Sequence, residues 1–127
     1  MTYRILCLLL ITVLMTNTMA KVINVPEDYP TIQDGLDASI EGDTVIVQPG
    51  IYEENIDFYG INVVLASMFL ETKDFRFIHE TIISGSKERG NTGPVITFSS
   101  DEDSTSAVIG FTIKNGRSPI GSGIYCN

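Results

Sequence analysis

Tryptophan is absent, histidine occurs once, and acids outnumber bases by 16 to 8. The resulting formal charge of −8 argues against a nucleic-acid partner, whose phosphates need a basic surface. It argues equally against simple attraction to anionic lipid. An acidic polysaccharide would be repelled as well, unless a divalent cation bridged the two surfaces. With His79 as the sole histidine, neither a Ser/His/Asp nor a Cys/His pairing can be built. No Asn-x-Ser/Thr acceptor is present, since Asn91-Thr92-Gly93 fails at its third position. Only two cysteines occur, Cys7 and Cys126.

Long apolar runs are scarce too, and the single one lies at the start. Arg4 precedes an apolar stretch from Ile5 to Met15, broken only by Thr12, and Asn17-Thr18-Met19-Ala20 follows. An apolar run of about 7–15 residues behind a positive charge has the length of a secretory signal. A membrane-spanning helix needs about 20. The pattern predicts export with cleavage after Ala20, so residues 1–20 are a signal peptide and the rest forms one small domain with no membrane span. Cleavage removes Arg4 and no acid, and makes the mature chain one charge more negative. It also removes Cys7, so Cys126 has no partner within this chain: either its partner lies beyond Asn127 or, the favoured expectation, it is buried as a small apolar residue.

Beyond the leader the pattern is of short strands. Lys21–Val25 alternates and is β-branched, and Pro26 ends it. Thr31-Ile32-Gln33-Asp34 fits a capping box. Ile32, Leu36 and Ile40 recur every four residues, with Gly35 and Ser39 beside them, so the spacing predicts a helix over Thr31–Ile40 stopped by Gly42. Strand-like runs follow at Thr44–Val47, Asn55–Phe58, Ile61–Ser67, Thr81–Ile83, Pro94–Ser99, Ala107–Lys114 and Gly123–Cys126. Gln48-Pro49-Gly50-Ile51 carries the Pro-Gly order of a type II turn. Met68–Glu80 breaks the pattern and reads as a loop folded over the strand wall.

These runs lack the tight loops of hairpins, and their order recurs. Thr44–Val47, Ile56–Phe58 and Ile61–Ser67 form one trio; Thr81–Ile83, Val95–Phe98 and Ala107–Ile113 form another; Gly123–Cys126 opens a third. Three short strands per repeat suit a mainly β fold, a solenoid whose coils stack at the inter-strand spacing of about 4.8 Å. The open ends of such a stack need capping. The Thr31–Ile40 helix serves one end, and no segment serves the other. The expectation is a C-terminally incomplete domain over 21–127, with further coils beyond Asn127.

The residues resemble the pectin-lyase-like right-handed parallel β-helix superfamily. Asn24-Val25-Pro26-Glu27-Asp28-Tyr29-Pro30-Thr31-Ile32-Gln33-Asp34-Gly35-Leu36-Asp37-Ala38 resembles its opening segment, which is also like that of pectin methylesterases. Gly42 to Ile56 resembles the next segment. Gly110-Phe111-Thr112-Ile113-Lys114-Asn115-Gly116 and Gly121-Ser122-Gly123-Ile124-Tyr125-Cys126 resemble coil phrases of exported bacterial members. The resemblance implies a right-handed β-helix. Superfamily members include pectate lyases, polygalacturonases, esterases, epimerases and surface proteins without catalysis. The esterases' catalytic glutamine, aspartate and arginine lie in later coils, so no position here inherits a catalytic role. Gln33-Asp34 falls in the cap helix.

Candidate chemistry is correspondingly sparse. Uronate elimination needs a cation and a base. Asp101, Glu102 and Asp103 are the candidate metal ligands, with Ca2+ the ion their oxygens would suit. Being consecutive and in a turn, they read more simply as a solvated corner. Asp57 alternates with Ile56 and Phe58 and should point outward. Arg117 could meet an acidic sugar, while Arg76, Arg89 and His79 read as loop surface. Tyr52, Tyr59 and Tyr125 offer faces on which sugar rings stack. The expected function is an exported, non-catalytic surface for polysaccharide or a cell-surface component. An alternative is the N-terminal fragment of a uronate-directed lyase, pectinesterase or hydrolase. A structural stalk or adhesin is the third.

Overall fold

The structure is a computed structural model that describes residues 19–88, 90 and 92–127. The signal-peptide expectation at 1–18, and Arg89, lie outside the described residues. Strands form where β-branched and aliphatic residues cluster: β1 Val22–Val25, β2 Thr44–Val47, β3 Gly50–Glu53, β4 Ile56–Asp57, β5 Val64–Ser67, β6 Thr81–Ser84, β7 Ile96–Phe98, β8 Ala107–Ile109, β9 Thr112–Lys114 and β10 Ile124–Cys126. Three short helices join them, α1 Ile32–Asp37, α2 Phe69–Thr72 and α3 Arg76–Glu80.

The chain is mainly β, and all its strand pairs are parallel. One sheet runs β1-β2-β5-β8, the second β3-β6-β9 and the third β4-β7-β10. From β2 onward each sheet therefore takes every third strand. Residues of one register stack across a sheet, as in Ile23–Val45–Leu65–Val108 and Ile56–Ile96–Ile124. Inward aliphatics from the three sheets meet in one core, with Phe58 as its largest fully buried side chain.

The trios differ in phase from the sequence reading. They are β2-β3-β4, β5-β6-β7 and β8-β9-β10, so Ile61–Ser67 opens the second trio instead of closing the first. Two local facts shift the count. Gly50 keeps a φ outside the left-handed region, so Gln48–Ile51 is no type II turn; Gly50 instead opens β3 and pairs with Thr81. Ala107–Lys114 is two strands in two sheets, parted at Gly110, where φ is +79°. A Cβ at Gly110 would meet Ser67 Oγ at 2.5 Å and Phe69 Cβ at 2.8 Å.

Helix α1 packs on β1, β2 and β4. A Cβ on Gly35 would lie 3.0 Å from Val25 Cγ2, so this glycine does permit close approach. Thr31 Oγ1 accepts the Asp34 N–H at 3.1 Å, as the capping box requires, and the Glu54 carboxylate takes the next two free donors, Ile32 N–H at 2.9 Å and Gln33 N–H at 3.1 Å. The helix stops at Asp37, short of Ile40. Asp43 draws the Ile40 N–H away at 2.9 Å, and Ile40 is exposed instead of completing the apolar stripe.

The outer edges of two first strands are blocked by side chains. Ile56 and Phe58 donate their N–H groups to the carbonyls of Val95, just before β7, and Thr97 within it, which turns the backbone of Asp57 outward. There the Gln33 amide takes both groups, accepting the Asp57 N–H and donating to its carbonyl, each at 2.9 Å. A primary amide thus replaces a neighbouring strand. Asn24 on β1 is closed the same way by Asp28, through its N–H and one carboxylate oxygen, both at 2.7 Å. Such blocks suppress edge-to-edge pairing.

Met68–Glu80 is more ordered than a loop, for it holds α2 and α3, and His79 lies in the last turn of α3. Thr112 Oγ1 ties this segment to β9 by donating to the Ile78 carbonyl at 2.7 Å. Beside it, Thr81 Oγ1 is buried and, among the described residues, is the one side-chain polar atom so buried without a hydrogen-bond partner. An unmatched buried hydroxyl costs about 1–3 kcal/mol. Thr81→Val keeps the shape and removes it, so the urea midpoint should rise by the equivalent of about 1 kcal/mol. A fall in the midpoint would show that the hydroxyl is satisfied in solution.

Cys126 is exposed, contrary to the expected burial. It lies on β10, an edge strand of its sheet, opposite Phe98 of β7. No strand of the described residues stacks on its other side.

Candidate functional site

Two asparagines organise corners between sheets. Asn62, just before β5, is buried within such a corner. Its Oδ1 accepts the Asp103 N–H at 2.8 Å and the Ser106 hydroxyl at 2.9 Å, and its Nδ2 donates to Glu41 at 3.2 Å. Asn55, just before β4, does the same for the 86–94 segment. It accepts the Ser86 N–H at 2.9 Å and donates to the Pro94 carbonyl at 2.7 Å. Each asparagine ties a later loop to the start of its own strand. The signal for them was an asparagine set directly before an aliphatic strand, at Asn55-Ile56 and Asn62-Val63.

The loop that Asn62 holds carries Asp101, Glu102 and Asp103. The carboxylates of Glu102 and Asp103 accept backbone N–H groups. Glu102 accepts the Ser100 N–H at 2.8 Å and the Gly60 N–H at 2.9 Å, one on each oxygen. Burial pushes its carboxyl up, but these N–H bonds together outweigh burial and hold it below the ordinary value of 4.5. Asp103 accepts the Thr105 hydroxyl and, at 2.8 Å, the Thr105 N–H, which lower its carboxyl as well. Asp101 is exposed, with a left-handed φ of 68°. Two of the three acids thus serve as turn caps. Among the described residues no group of three or more His, Cys, Asp or Glu side chains is placed to hold a metal ion.

The lowered Glu102 carboxyl predicts a pH dependence with a definite sign. A carboxyl held below its unfolded value contributes stability that is present above about pH 4.5 and fades as the pH falls through the folded value. Glu102→Gln should therefore lose less than about 1 kcal/mol at neutral pH, as befits a largely solvated group. Its melting temperature should converge with that of the parent once the pH falls below the lowered carboxyl value of the folded state. A difference that persists undiminished at low pH would assign the effect to shape instead of charge.

An open cleft of about 230 Å³ adjoins this corner, lined by Phe98, Glu102, Asp103, Ser106, Cys126 and Asn127. Phe98 stacks on Phe58 beneath it, with ring centroids 4.2 Å apart. The cleft is apolar at Phe98 and acidic along one side. Among its lining residues no nucleophile is hydrogen-bonded to a base.

The remaining candidates are dispersed. Tyr52 is half-buried in β3 against the core, and its hydroxyl donates to the Gln48 carbonyl at 2.9 Å. Burial, and then the Glu54 charge, push that phenol up. Tyr59 is 66 % exposed on the corner after β4, with φ 49°. Tyr125 is half-buried in β10, beside Thr97. Arg117 is exposed between β9 and β10, its N–H bonded to the Gly93 carbonyl at 3.0 Å. No hydrogen bond joins any two of these four. Asp57 is half-buried and accepts the Tyr59 N–H at 2.8 Å, which fixes the corner that presents the Tyr59 ring. Arg76 pairs with Asp74 on the surface at 2.6 Å. Among the described residues no helix is long and apolar enough to cross a membrane. No protein-family model matches the chain, and neither a curated protein nor a solved structure matches it.

Proposed function

We propose that this chain is the N-terminal part of an exported right-handed parallel β-helix protein of the pectin-lyase-like kind. It presents a non-catalytic surface to a polysaccharide or a cell-surface component. The strand order supports the fold: each of three parallel sheets takes every third strand, the topology of stacked three-strand coils. The observation that carries the function is the corner beside β4. An exposed Tyr59 ring stands on a turn fixed by Asp57, while Glu102 and Asp103 are committed to backbone caps. An exposed aromatic face with ordered polar neighbours suits a sugar ring. Committed acids do not suit proton transfer.

The net charge selects the glycan class. A neutral polysaccharide should bind without added cation, and an acidic one only where calcium bridges like charges. Affinity electrophoresis of the exported protein through gels containing neutral or uronate-rich polysaccharide tests both. Retardation by the neutral glycan in the presence of chelator, weakened in Tyr59→Ala, is expected. Retardation by none of them removes the binding reading.

The outer edges of β8, β9 and β10 favour a second reading. Their residues are half-buried or exposed, whereas β2 and β5 are mostly buried. Further coils stacked there would bury Val108, Phe111 and Ile113, and could carry lyase, esterase or hydrolase chemistry.

A further inference from the structure

Asp43 is a fully buried carboxylate, at 0 % exposure, in the bend between α1 and β2. Its two oxygens accept two backbone N–H groups, that of Ile40 at 2.9 Å and that of Lys21 at 2.9 Å. Among the described residues no cationic side chain pairs with it. A buried negative charge answered by two amide dipoles alone is poorly compensated, because amides carry no net charge to offset the lost hydration. One of those two donors is the nitrogen directly after Ala20. Met19 and Ala20 are exposed, and the Lys21 carbonyl is already fixed by the Thr44 N–H at 3.0 Å.

We propose that Asp43 is the receptor for the mature N-terminus: removal of the leader after Ala20 turns the Lys21–Asp43 hydrogen bond into a part-buried ion pair whose carboxylate is the buried member. This rests on the export reading above. Peptidase-catalysed hydrolysis of the Ala20–Lys21 amide consumes one water. The C–N bond breaks, the water oxygen joins the Ala20 carbonyl carbon to give a carboxylate, and the Lys21 nitrogen takes up protons to become an ammonium. That nitrogen need not move, since it already stands 2.9 Å from Asp43 Oδ1. The same contact becomes a charge-assisted hydrogen bond between unit charges, shielded from water on the carboxylate side. The first strand, β1, begins one residue later, so the pair pins the edge of the first sheet. The precursor, whose nitrogen is a neutral amide, lacks this pair. Folding is thereby coupled to processing, and the mature form is the more stable one.

The test uses the full chain produced in an exporting host, with the secreted product's first residue read by mass spectrometry. Three forms are compared: the natural chain, a chain with one glycine inserted between Ala20 and Lys21, and Asp43→Asn. The insertion leaves every residue of the fold in place and only displaces the ammonium, so it stands even if Asp43→Asn does not fold. At neutral pH an α-amine of ordinary pKa, about 7.7–8.0, is acylated well ahead of lysine side chains near 10.4. Expected are a first residue of Lys21, an α-nitrogen acylated at least about tenfold more slowly than in the insertion variant, and a melting temperature higher by at least about 4 °C. A first residue of Lys21 with equal acylation and equal melting overturns the inference and leaves the export reading intact. A different first residue overturns the inference alone, and no processing overturns both.

Discussion

Phe58→Ala is expected to remove about 3–5 kcal/mol of stability, a large share of the roughly 5–15 kcal/mol that a domain of this size has in total. Phe58 is 2 % exposed and is the largest fully buried side chain of the core. Its N–H is fixed to the Thr97 carbonyl at 3.2 Å, so the backbone cannot slide inward to fill the space. The ring is tilted at 33° against Phe98, and that pairing adds to the loss of buried area. Phe98 lines the cleft beside Glu102, so the lost packing should also loosen the corner that carries Tyr59. Phe58→Leu refills most of the volume and should cost less than about 1.5 kcal/mol. Urea unfolding of both variants, followed by tyrosine circular dichroism, measures the difference. A Phe58→Ala midpoint within error of Phe58→Leu would mean that the core collapses around the site.

The strands were legible wherever β-branched residues run together, as at Thr44–Val47, whose limits the structure reproduces. The order of three strands per repeat was legible too, but not its phase. β3 reads as a turn because it opens with Gly50 after Pro49 and exposes Ile51. It is recognisable as a strand only through its partner β6, more than 25 residues on. β4 has two residues, too few to show alternation. Ala107–Lys114 shows continuous strand character across Gly110, and only the crowding by Ser67 and Phe69 explains why the chain turns there.

The candidate site was legible as composition and not as geometry. Asp101, Glu102 and Asp103 are indeed a corner, yet nothing local to them says that Glu102 reaches back to Gly60, 42 residues earlier. Tyr52 has the look of a stacking platform, but its hydroxyl is held by Gln48 and its ring by the core. Asp43 escaped notice because an acid after a glycine reads as solvated loop, whereas its burial follows from two N–H groups delivered by separate segments. The Glu102–Gly60 and Asp43–Lys21 contacts join segments 42 and 22 residues apart, and residue spacing along the chain carries no trace of them.

Gly60→Ala should cost about 3 kcal/mol or more, by two separable routes. The first is local. Gly60 has φ +79°, directly after Tyr59 at φ 49°, and placing a Cβ in the left-handed region costs about 1–2 kcal/mol. The second comes from the neighbouring corner at Ser100. A Cβ at this position would overlap the Ser100 carbonyl oxygen, which is backbone and cannot swing aside. Relieving that overlap means parting the two corners, and parting them stretches the 2.9 Å bond from the Gly60 N–H to Glu102. Gly42→Ala isolates the first route. Its φ is +89°, but an added Cβ would meet only the Ala20 methyl, at 4.0 Å. That variant should lose about 1–2 kcal/mol, and the excess loss in Gly60→Ala then measures the contact between the two corners. Combining Gly60→Ala with Glu102→Gln should give less than the sum of the two losses, because the first change already removes the bond that the second weakens. Strictly additive losses would show that the Gly60–Glu102 bond does not couple the two corners.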